Sequence, residues 1–386
     1  MSQFEDPTDD STIVYPASYF AEFNPVSAND MLNRIPGISL ALRGGRGGRG
    51  LGSGQGEVLI NGQRITGKSN EGRSQLARIS SDQVDYIEII RGTSEELDVR
   101  GGGQVVNVVL LDLPSRSSTT LEVRTDRLRD GTLDPGGQLS YSGQSGQINY
   151  LFTVQADPRY RASESWETSH DPDFNLQETR TEKMVRDETN YQTSTSLGYT
   201  MENSIVQFNA LYETRGNAPS QTERVINDLV NDSTRIQWED NNSERDAWEV
   251  GGDYEYDFGR RGKFRFLFIV NDREFQFVRN RFDVEDGETD KNLFLQNYGR
   301  DRERIGRTSY TFNPNREHGL EMGIEFAQTI RDNDLKQGLD IEGTPSPEYG
   351  NLVPRFIPNA QSTVEEIRYE PFAVHNWQIN PRMALE

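Results

Sequence analysis

The chain has no cysteine among its 386 residues, so neither a disulfide framework nor a thiolate metal site is available to it. Only three histidines occur, His170, His318 and His375, too scattered along the sequence to read as a metal site. Long apolar runs are also missing: no window approaches the roughly 18 residues of a membrane helix. That excludes a helical span but not a barrel, whose strands alternate polar and apolar residues and score poorly on hydropathy. Positive charge is scarce as well. With 41 Lys+Arg against 62 Asp+Glu the formal charge is −21, which argues against a nucleic-acid partner. Ten basic and fifteen acidic residues up to Ser115 leave −5 there, so most of the acidity, −16, lies in the remainder.

What is present is aromatic and glycine-rich: 15 Tyr, 18 Phe and 35 Gly, with a hydrophobic share of 33% and a mean hydropathy of −0.78. Disordered chains are poor in aromatics, so the low hydropathy does not signal disorder. The opening MSQFEDPTDD is polar and acidic, without a signal-peptide core, which is expected either of a cytoplasmic chain or of a trimmed or partial sequence.

One motif invites a sharp reading. VLINGQRITGKS, Val58 to Ser69, satisfies G-x-x-x-x-G-K-[ST] through Gly62, Gly67, Lys68 and Ser69, and VVLLD (Val108 to Asp112) imitates a magnesium-binding strand. The chemistry needs a helix starting at Lys68-Ser69 and further βα units. Asn70-Glu71-Gly72 is a poor helix start, and the chain beyond Asp112 turns all-β, so no nucleotide is expected. RGGRGGRG, Arg43 to Gly50, looks like an RNA-binding box, but one short run in so acidic a chain argues for no nucleic acid.

The first segment mixes short elements. SANDMLNRI (Ser27 to Ile35) predicts a helix capped by Ser27 with Asp30 three residues on, stopped by Pro36-Gly37. EVLING, QVDYIEIIRG and QVVNVVLL predict strands, and SQLARI a helical turn or two. Beyond Ser117 the pattern changes to period-two alternation. Ile148, Tyr150, Phe152 and Val154 share one face; so do Trp248, Val250, Tyr254, Tyr256 and Phe258, opposed by Glu249, Asp253, Glu255 and Asp257. Phe264, Phe266, Phe268 and Val270 repeat the pattern, as do Leu320, Met322, Ile324 and Phe326.

Tight reversals are predicted at 143–146, 201–204, 259–262 and 313–317, and long polar loops at 157–189, 215–243, 275–300 and 331–362. Short turns on one side and long loops on the other is the layout of outer-membrane barrels, with Tyr199, Tyr212, Trp248, Phe258, Tyr310 and Phe312 placed as interfacial girdles. An ordinary antiparallel sheet with one wet face is the plain alternative.

Four stretches then resemble, in order, the plug domain of TonB-dependent outer-membrane receptors: NDMLNRIPGI (29–38), EVLINGQR (57–64), RISSDQVDYIEIIRG (78–92) and GGGQVVNVVL (101–110). The sequence departs from the family pattern at TSEELDVRGGG. The resemblance implies an α+β plug domain (27–115) after an N-terminal extended segment (1–26), followed by antiparallel transmembrane β-barrel strands over 116–386. About ten strands are counted, an incomplete part of a barrel of about 22, with roughly half of it lying beyond this sequence.

It further implies an importer without a catalytic site or cofactor, powered by the TonB energy-transducing complex and embedded in outer-membrane lipid. It would bind a small-molecule or glycan ligand: a siderophore-like chelate, a cobalamin or an oligosaccharide. TIVYPA resembles a TonB box, with Thr12, Ile13 and Val14 as the contact, although an ordinary lead-in strand fits equally. Arg43, Arg46 and Arg49 would sit in the plug's apical loop, contacting an anionic ligand or anchoring the plug to wall acids such as Glu321 and Asp253. Glu249, Asp253 and Glu255 would line the lumen. Tyr160, Trp166 and Trp238, expected in outer loops, are candidates for stacking on ligand. The competing reading is a soluble β-rich binding protein with no membrane role.

Overall fold

The computed structural model describes residues 12–25, 27–35, 58–64, 76, 79–91, 104–111, 115–285, 288–315, 318–380 and 383–385. Two sheets result. The first comprises β1 (Thr12–Pro16), β2 (Val58–Ile60), β3 (Gln63–Arg64), β4 (Val84–Arg91) and β5 (Gln104–Leu110), in the order β1-β4-β5-β2-β3. Helix α1 (Ala28–Leu32) packs on it. Its start follows from the sequence: Ser27 accepts the Asp30 amide at 3.2 Å while the Asp30 carboxylate accepts the Ser27 amide at 3.0 Å, a reciprocal cap that satisfies two otherwise orphaned donors. Phe20, Met31, Leu32, Leu76, Ile87, Ile89 and Val106 form one buried core with their neighbours.

The phosphate-cradle letters resolve into a hairpin. Asn61 and Gly62, both with positive φ (51° and 75°), make the two-residue turn joining β2 to β3, a turn that Asn-Gly favours. The Gly62 amide is spent on Asn107 Oδ1 at 2.8 Å, and Asn61 Oδ1 accepts the Leu110 amide at 2.7 Å. Lys68, Ser69 and Asp112 lie outside the described residues, as do Arg43, Arg46 and Arg49. Within the N-terminal extended segment, residues 12–23 supply edge strand β1 and the buried ring of Phe20 to this unit.

The second sheet is antiparallel throughout. Its strands are β6 (Ser115–Arg127), β7 (Leu133–Ser145), β8 (Ile148–His170), β9 (Leu176–Thr200), β10 (Ser204–Asp228), β11 (Ser233–Asp257), β12 (Lys263–Glu285), β13 (Glu288–Asn315), β14 (His318–Leu339), the short β15 (Val353–Pro354), β16 (Gln361–Asn380) and β17 (Met383–Leu385). They pair in sequence order from β6 to β17, with β15 added to β14; β6 and β17 do not pair with one another.

The reversals near 146, 202, 260 and 316 fall where the sequence placed them. The long loops do not. Residues 157–189, 215–243 and 275–300 largely continue the ladders, so β9, β10 and β11 each run for 25 residues, whereas 340–352 and 355–360 lie outside the strands. The reason is that these extensions carry polar residues on both faces and so show no apolar alternation, while backbone pairing with neighbours still carries them on.

Alternation fixes two faces. Outward lie Phe152, Val154, Val206, Phe208, Met322 and Ile324, all with exposed side chains. Trp248 and Phe258 lie ten positions apart on and just beyond β11, about 33 Å along the strand and about 25 Å at a tilt near 40°. That is the height of an outer-membrane apolar band. Tyr212 stands directly across from Trp248, and Phe258 joins Tyr256 and Tyr310 in an aromatic cluster at the short-turn end.

The inward face meets the small sheet. Gln83 accepts the Ser142 hydroxyl at 3.0 Å and donates to the Ser142 carbonyl at 3.5 Å. One cavity is lined by the plug-like unit together with residues from β6, β7, β8, β9, β10 and β11. A flat sheet would spread six strands over about 24 Å, so the wall curves around the small unit.

Candidate functional site

The space between the small unit and the wall has a volume of about 610 Å³. Ser27, Asn29 and Asp30 of the α1 cap form one side; Asp157, Arg159, Arg215 and Arg245 belong to the other. These wall residues arise from parity: counting back from buried Glu249 by twos along β11 gives Ala247, Arg245, Ser243, Asn241 and Glu239, all on the inner face. The local geometry is set by a break in the ladder. Pro219 has no amide to donate, and β9–β10 pairing is interrupted between Thr214 and Ser220.

Charged groups on this face are shared. Asp157 is paired with both Arg124 and Arg159. Glu188, nine-tenths buried, is ion-paired with Arg186 Nη2 at 2.7 Å and accepts from Arg215 Nη1 at 3.1 Å. Farther toward the long-hairpin end, a second cavity of about 420 Å³ is crossed by Arg224, bound to Glu239 at 2.7 Å and to Glu182. Burial works against the charge on Arg224; the two carboxylates outweigh it and hold its pKa above the usual guanidinium value. Arg279 approaches Glu239 at 3.7 Å and lies over the Phe277 ring. A third cavity of about 700 Å³ lies toward the short turns, between Ile79, Leu110 and Leu111 and the inner side of β7–β10.

Glu249, Asp253 and Glu255 occupy the inner face as expected. Two of them are held within the wall: Asp253 accepts Nη2 of Arg265 at 2.9 Å, and Glu255 lies 3.4 Å from Lys263 Nζ. Glu321 lies 3.8 Å from Arg307. The acids nominated as anchors for the plug arginines therefore already have wall partners.

Tyr160, Trp166 and Trp238 need correction in place. All three stand on strands rather than loops, and on the outward parity shared with Phe152 on β8 and Trp248 on β11, because side chains alternate without interruption along both. Tyr160 donates to Asp130 of the β6–β7 turn at 2.7 Å. Two of the histidines, far apart in sequence, meet in the fold. Register sets Leu320 opposite His375, which brings His318 Nδ1 to 2.9 Å from His375 Nε2, with Trp377 stacked on His318 at 5.6 Å. Sequence distance concealed a cross-strand diagonal.

Thr12, Ile13 and Val14 pair with Ile90, Ile89 and Glu88, and the far edge of β1 has no strand partner among the described residues. Ile13 and Val14 are exposed there. The inner-face arginines were missed because they fall in stretches read as loops; carrying the parity of Glu249 beyond Trp248 would have found Arg245.

Residues 6–105 match the family described as TonB-dependent Receptor Plug Domain. Among solved structures, the chain is similar to the ferric yersiniabactin uptake receptor FyuA from Yersinia pestis: 11% identity, 97% of this chain and 63% of that one, TM-score 0.41. It is similar also to the ferric citrate transporter FecA in its unliganded form (12%, 96% and 60%, 0.34) and to the copper transporter OprC (12%, 96% and 61%, 0.30). The chain spans about three fifths of the length of these proteins. At such scores these likenesses carry no argument of their own; the plug match does.

Proposed function

We propose, on the premise that this chain carries a TonB-dependent receptor plug domain, that it is the plug and adjoining wall of an outer-membrane transporter. The single observation that supports this best is the plug sheet seated against the polar inner face of a curved antiparallel wall whose outer face is apolar. A soluble binding protein has no use for an aromatic-bounded outward band about 25 Å tall.

In this reading a small-molecule or glycan ligand enters from the long-hairpin side and meets the charged inner face. Siderophore-like chelates are one class of candidate; FyuA is described as an uptake receptor for ferric yersiniabactin. Arg43, Arg46 and Arg49 are proposed to face it from the plug. The TonB complex would act on Thr12, Ile13 and Val14. Its backbone would add to the open edge of β1, an interaction of loose sequence demand, and force on β1 would peel it from β4. Tyr160, Trp166 and Trp238 would touch ligand only from outside the hairpins.

Expression in cells with and without a functional TonB complex tests the reading. The transporter account expects the protein in the outer-membrane fraction and a growth or uptake phenotype that requires TonB. Recovery in the soluble periplasm would sink it.

A further inference from the structure

We propose that the space between the α1 cap and the inner wall is an oxyanion site, closed by Arg159, Arg215 and Arg245, that takes a phosphate-type dianion. The proposal concerns an ion bound between plug and wall and stands whether or not the protein transports anything.

Guanidinium groups from four strands converge here. Arg159 on β8, Arg215 on β10 and Arg245 on β11 line the cavity, and Arg273 on β12 repels Arg245 from beside it. The lining holds five carboxylates, Asp30, Glu122, Asp157, Glu188 and Glu213, but two of them are each divided between two guanidinium groups. Arg124 and Arg159 divide Asp157; Arg186 and Arg215 divide Glu188. Glu213 comes only to 3.8 Å of Arg245 Nε, beyond hydrogen-bond distance. Of the other acids lining the space, Asp30 is engaged in capping the Ser27 amide, and Glu122 lies across on β6.

Two guanidinium donors are left over. Arg215 Nε and Arg245 Nε are buried without a hydrogen-bond partner. A buried donor without an acceptor is costly, and more so when it carries charge. Burial, with Arg273, Arg215 and Arg159 nearby, holds the Arg245 pKa below the usual value despite Glu213. Arginine does not shed its proton in proteins. The stress is relieved instead by an anion placed among the groups. A neutral polyhydroxyl ligand would fill the donors and leave the repulsion standing. A phosphate supplies several acceptor oxygens and about two negative charges, in a geometry that the guanidinium fork fits. The 610 Å³ space accommodates a free ion with water or a phosphate ester.

The test is titration of the full chain in detergent micelles at low salt with inorganic phosphate and, separately, phenyl phosphate, followed calorimetrically. Saturable one-site binding is expected, weakened about tenfold or more in Arg245→Gln and in Arg215→Gln. Arg302→Gln, on the outer face beside Asp332, should leave it unchanged. Equal binding of the two probes assigns the site to the free ion, and tighter ester binding assigns it to a phosphorylated ligand; either supports it. No saturable binding of either probe to protein that keeps its folded gel mobility overturns the proposal, as does binding that both inner-face variants leave intact. Loss of TonB-dependent uptake with phosphate binding preserved would count against the transporter reading alone.

Discussion

Asn107 shows how a single residue fixes the plug. It is 3% exposed, accepts the Gly62 amide at 2.8 Å and donates to Glu88 Oε2 at 2.8 Å, so one side chain ties the β2–β3 turn to β4 across the strand between them. Asn107→Leu keeps the bulk and orphans both partners. The expected loss is about 1–3 kcal/mol of plug stability, visible as faster amide exchange over β2, β4 and β5 with the wall unchanged. At the opposite end of the molecule, Asp171 closes the β8–β9 turn. Hydrogen bonds from the Asn175 side chain, then the Asn175 amide and the Asp173 amide, hold its carboxyl below the usual range. A depressed folded pKa contributes order that is present above the unfolded value near 3.9 and is lost as pH falls through the folded value. Exchange at residues 171–177 should therefore stay slow at neutral and mildly acidic pH and rise only below about pH 4; a rise centred near pH 6 would contradict the assignment.

At the scale of the strand, the outward face divides by height. Phe268 lies inside the band and Ile236 beyond the Trp248 belt on the same parity. Phe268→Arg should cost about 2–4 kcal/mol in liposomes, whereas Ile236→Arg should change little, about 0.5 kcal/mol or less; reversible urea unfolding measures both. This division also explains what could be read from sequence alone. Inside the band one face meets lipid and the other water, so Trp248, Val250, Tyr254 and Tyr256 alternate with Glu249, Asp253 and Glu255 and the strand announces itself. Beyond the belt, Glu239, Asp240, Asn241 and Asn242 are polar on both faces. The ladder goes on while its signal vanishes, which is why 215–243 read as a loop and Trp238 as a loop residue. The Ser27–Asp30 cap and the Asn61-Gly62 turn were legible because local chemistry decides them. The Arg245 cluster and the His318–His375 contact were not, because register across strands decides those.

For the whole molecule, two sheets of opposite character divide the work. The plug sheet buries one face around Phe20, Met31 and Ile87 and a smaller cluster of Leu59, Ile90 and Val105 on the other, whereas the wall is apolar outside and charged within. A wall of this kind is stable only when its outer face meets lipid or detergent and its inner face meets water and plug. The account thus turns on which face of the wall is wet. Because the chain has no cysteine, single cysteines can be introduced without removing any, and spin labels scanned from position 249 to 257 of β11 in liposomes report contact with lipid directly. Oxygen accessibility should oscillate with a period of two, high at positions 250, 252, 254 and 256 and low at 249, 251, 253, 255 and 257. A flat profile, or one in which a water-soluble reagent reaches the even positions, would contradict the outward lipid face and with it the transporter.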